Sequence, residues 1–192
     1  MRRTRGPIQI AALLAALACS DSTGPVQSRM PAQLNILRLA TTAPPLFAAT
    51  TTFNACKGSG AEGRLFFSDG QGGQGQEFAR LKLDNNTLLL KPDGTPFGAT
   101  ECIQITMAVD DPTQVLIRLE PTGLRFNPAD PAQFRIEYAE AEGVDSQIEA
   151  QIAIWRQEVD GGPFVQIGSA VLKDLKEVEG NLLGFSRYAL AY

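Results

Sequence analysis

Chemistry in this 192-residue chain has to be built from 21 acidic residues, 17 basic residues, three cysteines and no histidine. Without an imidazole, Ser-His-Asp and Cys-His relays are excluded, and the usual catalytic zinc sites lack their most common ligand. Carboxylates remain. Asp110-Asp111, and the group Glu140, Glu142 and Asp145, offer oxygens to calcium, which takes several such ligands at once. Neither group has the alternating spacing of a known calcium loop, and solvated loop charges are the simpler account. A carboxylate pair can also hydrolyse a glycosidic bond, but 21 acids in a β-rich chain form pairs by chance. Trp155 reads as strand-face packing rather than as a sugar platform.

Gly70-Gln71-Gly72-Gly73-Gln74-Gly75 has the spacing G-x-G-x-x-G. A phosphate-binding loop of this type needs a helix N-terminus immediately after it. Here Phe78 to Asp84 alternates apolar and polar residues, so the run is expected to be a hairpin loop. No cofactor is expected.

Cys19 ends an apolar run, Ile8 to Ala18, broken only by Gln9 and preceded by Arg2, Arg3 and Arg5. That pattern is a secretory signal and falls well short of the ~20 residues that span a bilayer. Ala16-Leu17-Ala18-Cys19, followed by Ser20 and Asp21, resembles the lipobox of bacterial lipoproteins, with Leu17 one place later than the usual leucine. The resemblance implies cleavage before Cys19, a diacylglycerol thioether on its sulfur and usually a further N-acyl chain. Multiple acyl chains make a durable anchor where a single chain does not. The residue after Cys19 resembles an outer-membrane sorting signal, so the expected location is the bacterial cell envelope, lipid-anchored in the outer membrane.

Assigning Cys19 to lipid leaves Cys56 and Cys102 as an even pair in an oxidising compartment. A disulfide between them is expected, closing a loop of about 45 residues and contributing ~3–4 kcal/mol. Loss of the three signal arginines takes the net charge from −4 to −7. An acidic exterior disfavours nucleic acid as a partner.

The elements that must position these residues read as strands. Residues 19–50 are polar, with Pro and Gly, and are expected to be a flexible tether, in which Leu34, Ile36, Leu37 and Leu39 offer one short strand at 34–39. From residue 51 to 192 the apolar residues alternate in short segments. These include Leu65 and Phe67; Ala79, Leu81 and Leu83; Ile103, Ile105, Met107 and Val109; Val115, Ile117 and Leu119; Phe134, Ile136 and Tyr138; and Ile148, Ala150, Ile152 and Ile154. Turn residues separate them at Pro92-Asp93-Gly94, Asp110-Asp111-Pro112, Pro121-Thr122-Gly123 and Asp160-Gly161-Gly162. Val171, Leu172 and Val178 offer one further strand and Leu182 to Tyr192 a last one. The Ala- and Glu-rich stretch from Glu137 to Glu149 has room for one helical turn. The expected fold is an all-β, antiparallel β-sandwich.

Within it, Leu119-Glu120-Pro121-Thr122-Gly123-Leu124-Arg125-Phe126 and the following Pro128 to Tyr138 resemble the ZU5 domain. Ile152-Ala153-Ile154-Trp155 and Phe164-Val165 look like its paired strands, and Gly184-Phe185-Ser186-Arg187-Tyr188-Ala189 like its closing strand. The resemblance spans about residues 80–192 and implies a sandwich used for protein–protein contacts. Some ZU5-containing proteins cut themselves between the Phe and Ser of the closing motif, with a His assisting. Here Gly184 stands at the His position, so Ser186 reads as a structural strand residue. The expected function is a non-catalytic interaction or structural module, with the membrane as partner through Cys19 and a protein of the envelope as partner of the domain. The alternatives are a glycan- or calcium-binding lipoprotein and a carboxylate-based hydrolase.

Overall fold

The computed structural model describes residues 27–192. Cys19 and its signal lie outside them. In chain order the elements begin with β1 (Ser28–Arg29), a 3-10 turn (Pro31–Gln33), β2 (Thr50–Cys56), β3 (Ala61–Ser68), β4 (Gln74–Leu83) and β5 (Leu88–Leu90). β6 (Cys102–Val109), β7 (Leu116–Glu120), β8 (Arg125–Phe126) and β9 (Ala132–Glu137) follow. The chain closes with helix α1 (Ser146–Glu149), β10 (Ala153–Gln157), β11 (Phe164–Gln166), β12 (Ser169–Leu172), β13 (Glu177–Leu182) and β14 (Arg187–Ala191).

Two antiparallel sheets face one another, as the alternation predicts. The larger runs β1-β11-β10-β14-β7-β6-β2, and the smaller β12-β13-β9-β4-β3, with a β5–β8 ribbon at one end. Period-two residues fill the space between them: Ile105, Met107, Ile117, Leu119, Ile154, Tyr188 and Leu190 from one sheet meet Leu65, Phe67, Leu81, Phe134, Ile136 and Val178 from the other. A bulge in β4 adds to this core. Leu65 pairs with Ala79 but Phe66 with Glu77, so Phe78 turns inward beside Ala79 and packs edge-on against Phe67 at 5.2 Å. Phe126 and Phe185 make a second edge-on pair at 5.0 Å.

Three local expectations are corrected. Ile148 does not begin a strand: Asp145 Oδ1 accepts from Gln147 N and Ile148 N and starts α1, and β10 starts only at Ala153. The single strand drawn through Val171, Leu172 and Val178 is a hairpin, β12 to β13, whose turn puts Lys176 at φ 56°.

The third correction is the tether. From residue 27 on, the segment expected to be flexible is packed onto the sandwich. β1 adds to the β11 edge, and the chain then crosses the outer face of the larger sheet. Leu34 and Ile36 cover Trp155, Phe164, Ala189 and Ala191, Arg29 lies 5.1 Å over the Trp155 ring, and Trp155 Nε1 donates to Ala191 O. Leu37 instead reaches the main core. It donates to Leu190 O and accepts from Val115 N, both at 2.9 Å, so it is spliced between two strand ends. The Ile36-Leu37 doublet that breaks the alternation therefore serves two clusters on opposite sides of the sheet. Residues 45–47 then run beside β3, with Ser68 N donating to Pro45 O and Phe47 N to Phe66 O.

Candidate functional site

A polar cleft adjoins Ser186. A cleft of about 270 Å³, lined by Thr122, Arg125, Arg156, Glu158, Leu183 and Ser186 among others, opens between the turn after β7, the β10–β11 turn and the segment joining β13 to β14. A smaller recess of about 110 Å³ continues it past Gln157, Asp160 and Arg187. Ser186 is buried and its hydroxyl accepts from Arg156 Nε at 2.9 Å. A guanidinium donates and cannot take up a proton, so this contact fixes the serine without activating it. Arg156 also reaches the exposed Glu158 at 2.8 Å. Tyr188 donates to Gly184 O, and burial pushes its hydroxyl up to about 12, which keeps it a neutral donor. The polar groups around Ser186, which the sequence reads as a structural strand residue, are bonded so as to hold the start of β14 in place.

Asp110 and Asp111, the calcium candidates, are spent differently from one another. Asp110 faces two guanidinium groups, Arg118 Nε at 2.9 Å and Arg187 Nε at 2.7 Å. Those fixed positive charges occupy the approach a cation would need. Asp111 Oδ1 accepts from both the amide and the hydroxyl of Thr113 at 2.8 Å, bonds that hold its carboxyl below the usual range. In the second acidic group, Asp145 caps α1 and Glu142 lies 3.5 Å from Arg38. Among the described residues, no three Asp, Glu or Cys side chains converge as a metal site would require.

The glycine run is the β3–β4 hairpin loop, as expected. Asp69 Oδ1 accepts from Gln71 N at 2.7 Å and Gly73 N at 2.8 Å, so the amides a phosphate would need are already bonded to a carboxylate. Gly70 and Gly72 take φ of 75° and 89°, which explains glycine at both positions.

Cys56 and Cys102 are direct partners across β2 and β6 and form a disulfide, with Cα atoms 3.9 Å apart. β2 is the edge strand of the larger sheet and β6 its neighbour, and Cys102 is exposed.

Two polar groupings have no signature in sequence. Tyr138 donates to Glu149 at 2.9 Å and Lys176 does so at 2.7 Å, a buried carboxylate bonded by residues 11 and 27 positions away. On the outer face of the smaller sheet, Arg135 reaches Glu179 at 3.0 Å and Glu177 at 3.1 Å, while Glu177 is paired directly with Glu137. Burial, then the charges of Glu177, Glu140 and Glu77, push the Glu137 carboxyl up to about 7, against the hydrogen bond from Gln76. The second grouping is set by strand register and the first by the packing of α1 and the β12–β13 turn against Tyr138, and composition carries neither.

No family model, no curated protein and no solved structure matches this chain.

Proposed function

We propose that this protein is an exported β-sandwich, anchored by lipid on Cys19 in the bacterial cell envelope, that works as a binding or structural module and not by catalysis. The observation that carries the reading is the Cys56–Cys102 disulfide on the exposed face of an edge strand pair. Such bonds persist in exported proteins and are rare where thiols are kept reduced. That agrees with the signal-like run before Cys19 and accounts for all three cysteines.

The non-catalytic half of the reading is supported by how the reactive groups are used. Ser186 is tied to Arg156, Asp110 to Arg118 and Arg187, Asp111 to Thr113, and Asp145 to the start of α1. Each contact stabilises a turn or a strand end. The remaining surface suits recognition: an ion-paired outer face on the smaller sheet, a short arginine-lined cleft, and exposed sheet edges.

Photo-crosslinking of the native protein in cells tests this. The expected products are defined adducts with envelope proteins, lost when Cys19→Ser removes the anchor. Recovery of the chain from the cytosol with free thiols at Cys56 and Cys102 would overturn the reading.

A further inference from the structure

On the strands, Arg64, Arg118, Arg135 and Arg187 each reach two carboxylates. Arg125 reaches none. Among the described residues its guanidinium has no ion pair and no side-chain hydrogen bond, in a chain whose acids outnumber its bases. Leu124 and Phe126 on either side of it are buried, so the alternation of β8 turns Arg125 outward, into the wall of the cleft beside Ser186.

The second arginine of that wall is held in position. Ser186, 3% exposed, accepts from Arg156 Nε. Arg156 Nη2 lies beside Gly184, where an added Cβ would come within 3.5 Å of it. With Nε fixed, Nη1 and Nη2 remain for a partner, and Nη2 already holds the Glu158 carboxylate at 2.8 Å. Glu158 stands on the β10–β11 turn with its side chain 66% exposed, so this ion pair contributes little and is readily exchanged. The same wall carries an apolar group, Leu183, which is 53% exposed.

We propose that this cleft binds the C-terminal carboxylate of a peptide chain. Arg125 and the outer nitrogens of Arg156 take the carboxylate, Glu158 gives up its place, and the last side chain lies against Leu183. A guanidinium fork matches a planar carboxylate, and the Glu158 contact is the internal version of that bond. The volume of about 270 Å³ leaves room for a side chain beside the carboxylate. An exposed leucine suits an aliphatic side chain better than the hydroxyls of an acidic sugar. Phosphate is disfavoured because Glu158 and Asp160, both exposed at the rim, repel its second charge. The inference rests on the reading of this domain as a binding module and names the ligand class of its arginine-lined cleft.

The test is fluorescence anisotropy of the tripeptide Ala-Ala-Leu, labelled at its N-terminus and ending in a free carboxylate, titrated with the full chain in mild detergent. The acid is expected to bind, and the same peptide ending in an amide to bind about tenfold more weakly. Arg125→Gln and Arg156→Gln are each expected to weaken the acid about tenfold and to leave the amide unchanged. Glu158→Gln frees Nη2 and is expected to tighten the acid several-fold, a gain that no loss of folding produces. Acid and amide bound alike, no binding of either, or a Glu158→Gln variant no tighter than the wild type would overturn the proposal. So would displacement of the peptide by equimolar inorganic phosphate or glucuronate, which would assign the cleft to another anion. Binding is read on purified protein, so its failure is separate from a failure of crosslinking in cells or of the thiol state at Cys56 and Cys102, which test the module reading.

Discussion

Asp110 and Arg187, 77 residues apart in sequence, are joined across the larger sheet by a 2.7 Å hydrogen bond from Nε to Oδ2. Arg118 takes the other carboxylate oxygen at 2.9 Å. The pair links the turn after β6 to the start of β14 and uses up the acid that sequence alone offered to calcium. Asp110→Ala leaves two arginines facing one another without their shared anion. It is expected to lower stability by about 2 kcal/mol, measured by urea denaturation. Millimolar calcium is expected to leave the wild-type melting temperature unchanged; a clear rise would return Asp110-Asp111 to candidacy as a cation site.

Two glutamates titrate in opposite senses. Glu137, held up to about 7 by burial and neighbouring carboxylates, keeps its proton in the folded state over a range where the unfolded chain, near 4.5, has lost it. The folded state binds more protons there, so stability falls as pH rises from about 4.5 to about 7. Glu137→Gln is expected to flatten that slope and to raise stability at about pH 8 by ~1 kcal/mol, after allowance for solvent screening. Equal slopes for parent and variant would show that Glu137 titrates normally.

Glu149 is held below its usual range by the hydrogen bonds from Lys176 and then Tyr138. Its contribution is therefore present above about pH 4.5 and is lost as pH falls further. Glu149→Gln is expected to lower the melting temperature at neutral pH and to converge with the parent in acid. A pH-independent gap between the two would mean that the loss is one of packing alone.

The Cys56–Cys102 bond closes a sequence separation of 46 residues. Loop-closure entropy then gives about 4 kcal/mol of stabilisation. Denaturation with and without reductant measures it, and a thiol count on denatured, unreduced protein is expected to find neither cysteine free.

Leu34 tests whether the segment before β2 belongs to the folded unit. Leu34→Ala uncovers Trp155, the only tryptophan of the chain. It is expected to cost about 2 kcal/mol and to shift tryptophan emission to the red. Unchanged emission would mean that residues 27–40 contribute nothing to the cover over Trp155.

Much of the sandwich is legible in the sequence because its inner residues keep a strict period of two, as in β6, where Ile105 and Met107 are fully buried. Hairpins with Gly-rich turns are legible too, such as Asp160-Gly161-Gly162 between β10 and β11. The β12–β13 turn is not, because Lys176 takes a left-handed conformation without a glycine to announce it. Nor is the strap over Trp155, whose apolar residues alternate between two clusters rather than along one face. The glycine run is local enough to read directly, and the cysteine pair, 46 residues apart, is legible only by count once Cys19 is assigned to lipid. The contacts of Ser186 with Arg156, Asp110 with Arg187 and Glu149 with Lys176 are not legible, since these partners lie 30, 77 and 27 residues away.

The proposed function depends on an exported domain held to a membrane through Cys19. Detergent-phase partitioning of the full-length protein from cells, beside a Cys19→Ser variant, measures that attachment. The parent is expected to partition into the detergent phase, with an N-terminal peptide starting at Cys19 and carrying acyl mass. The variant is expected to keep its signal and lose that mass. An unmodified Cys19, or equal partitioning of the two proteins, would contradict it.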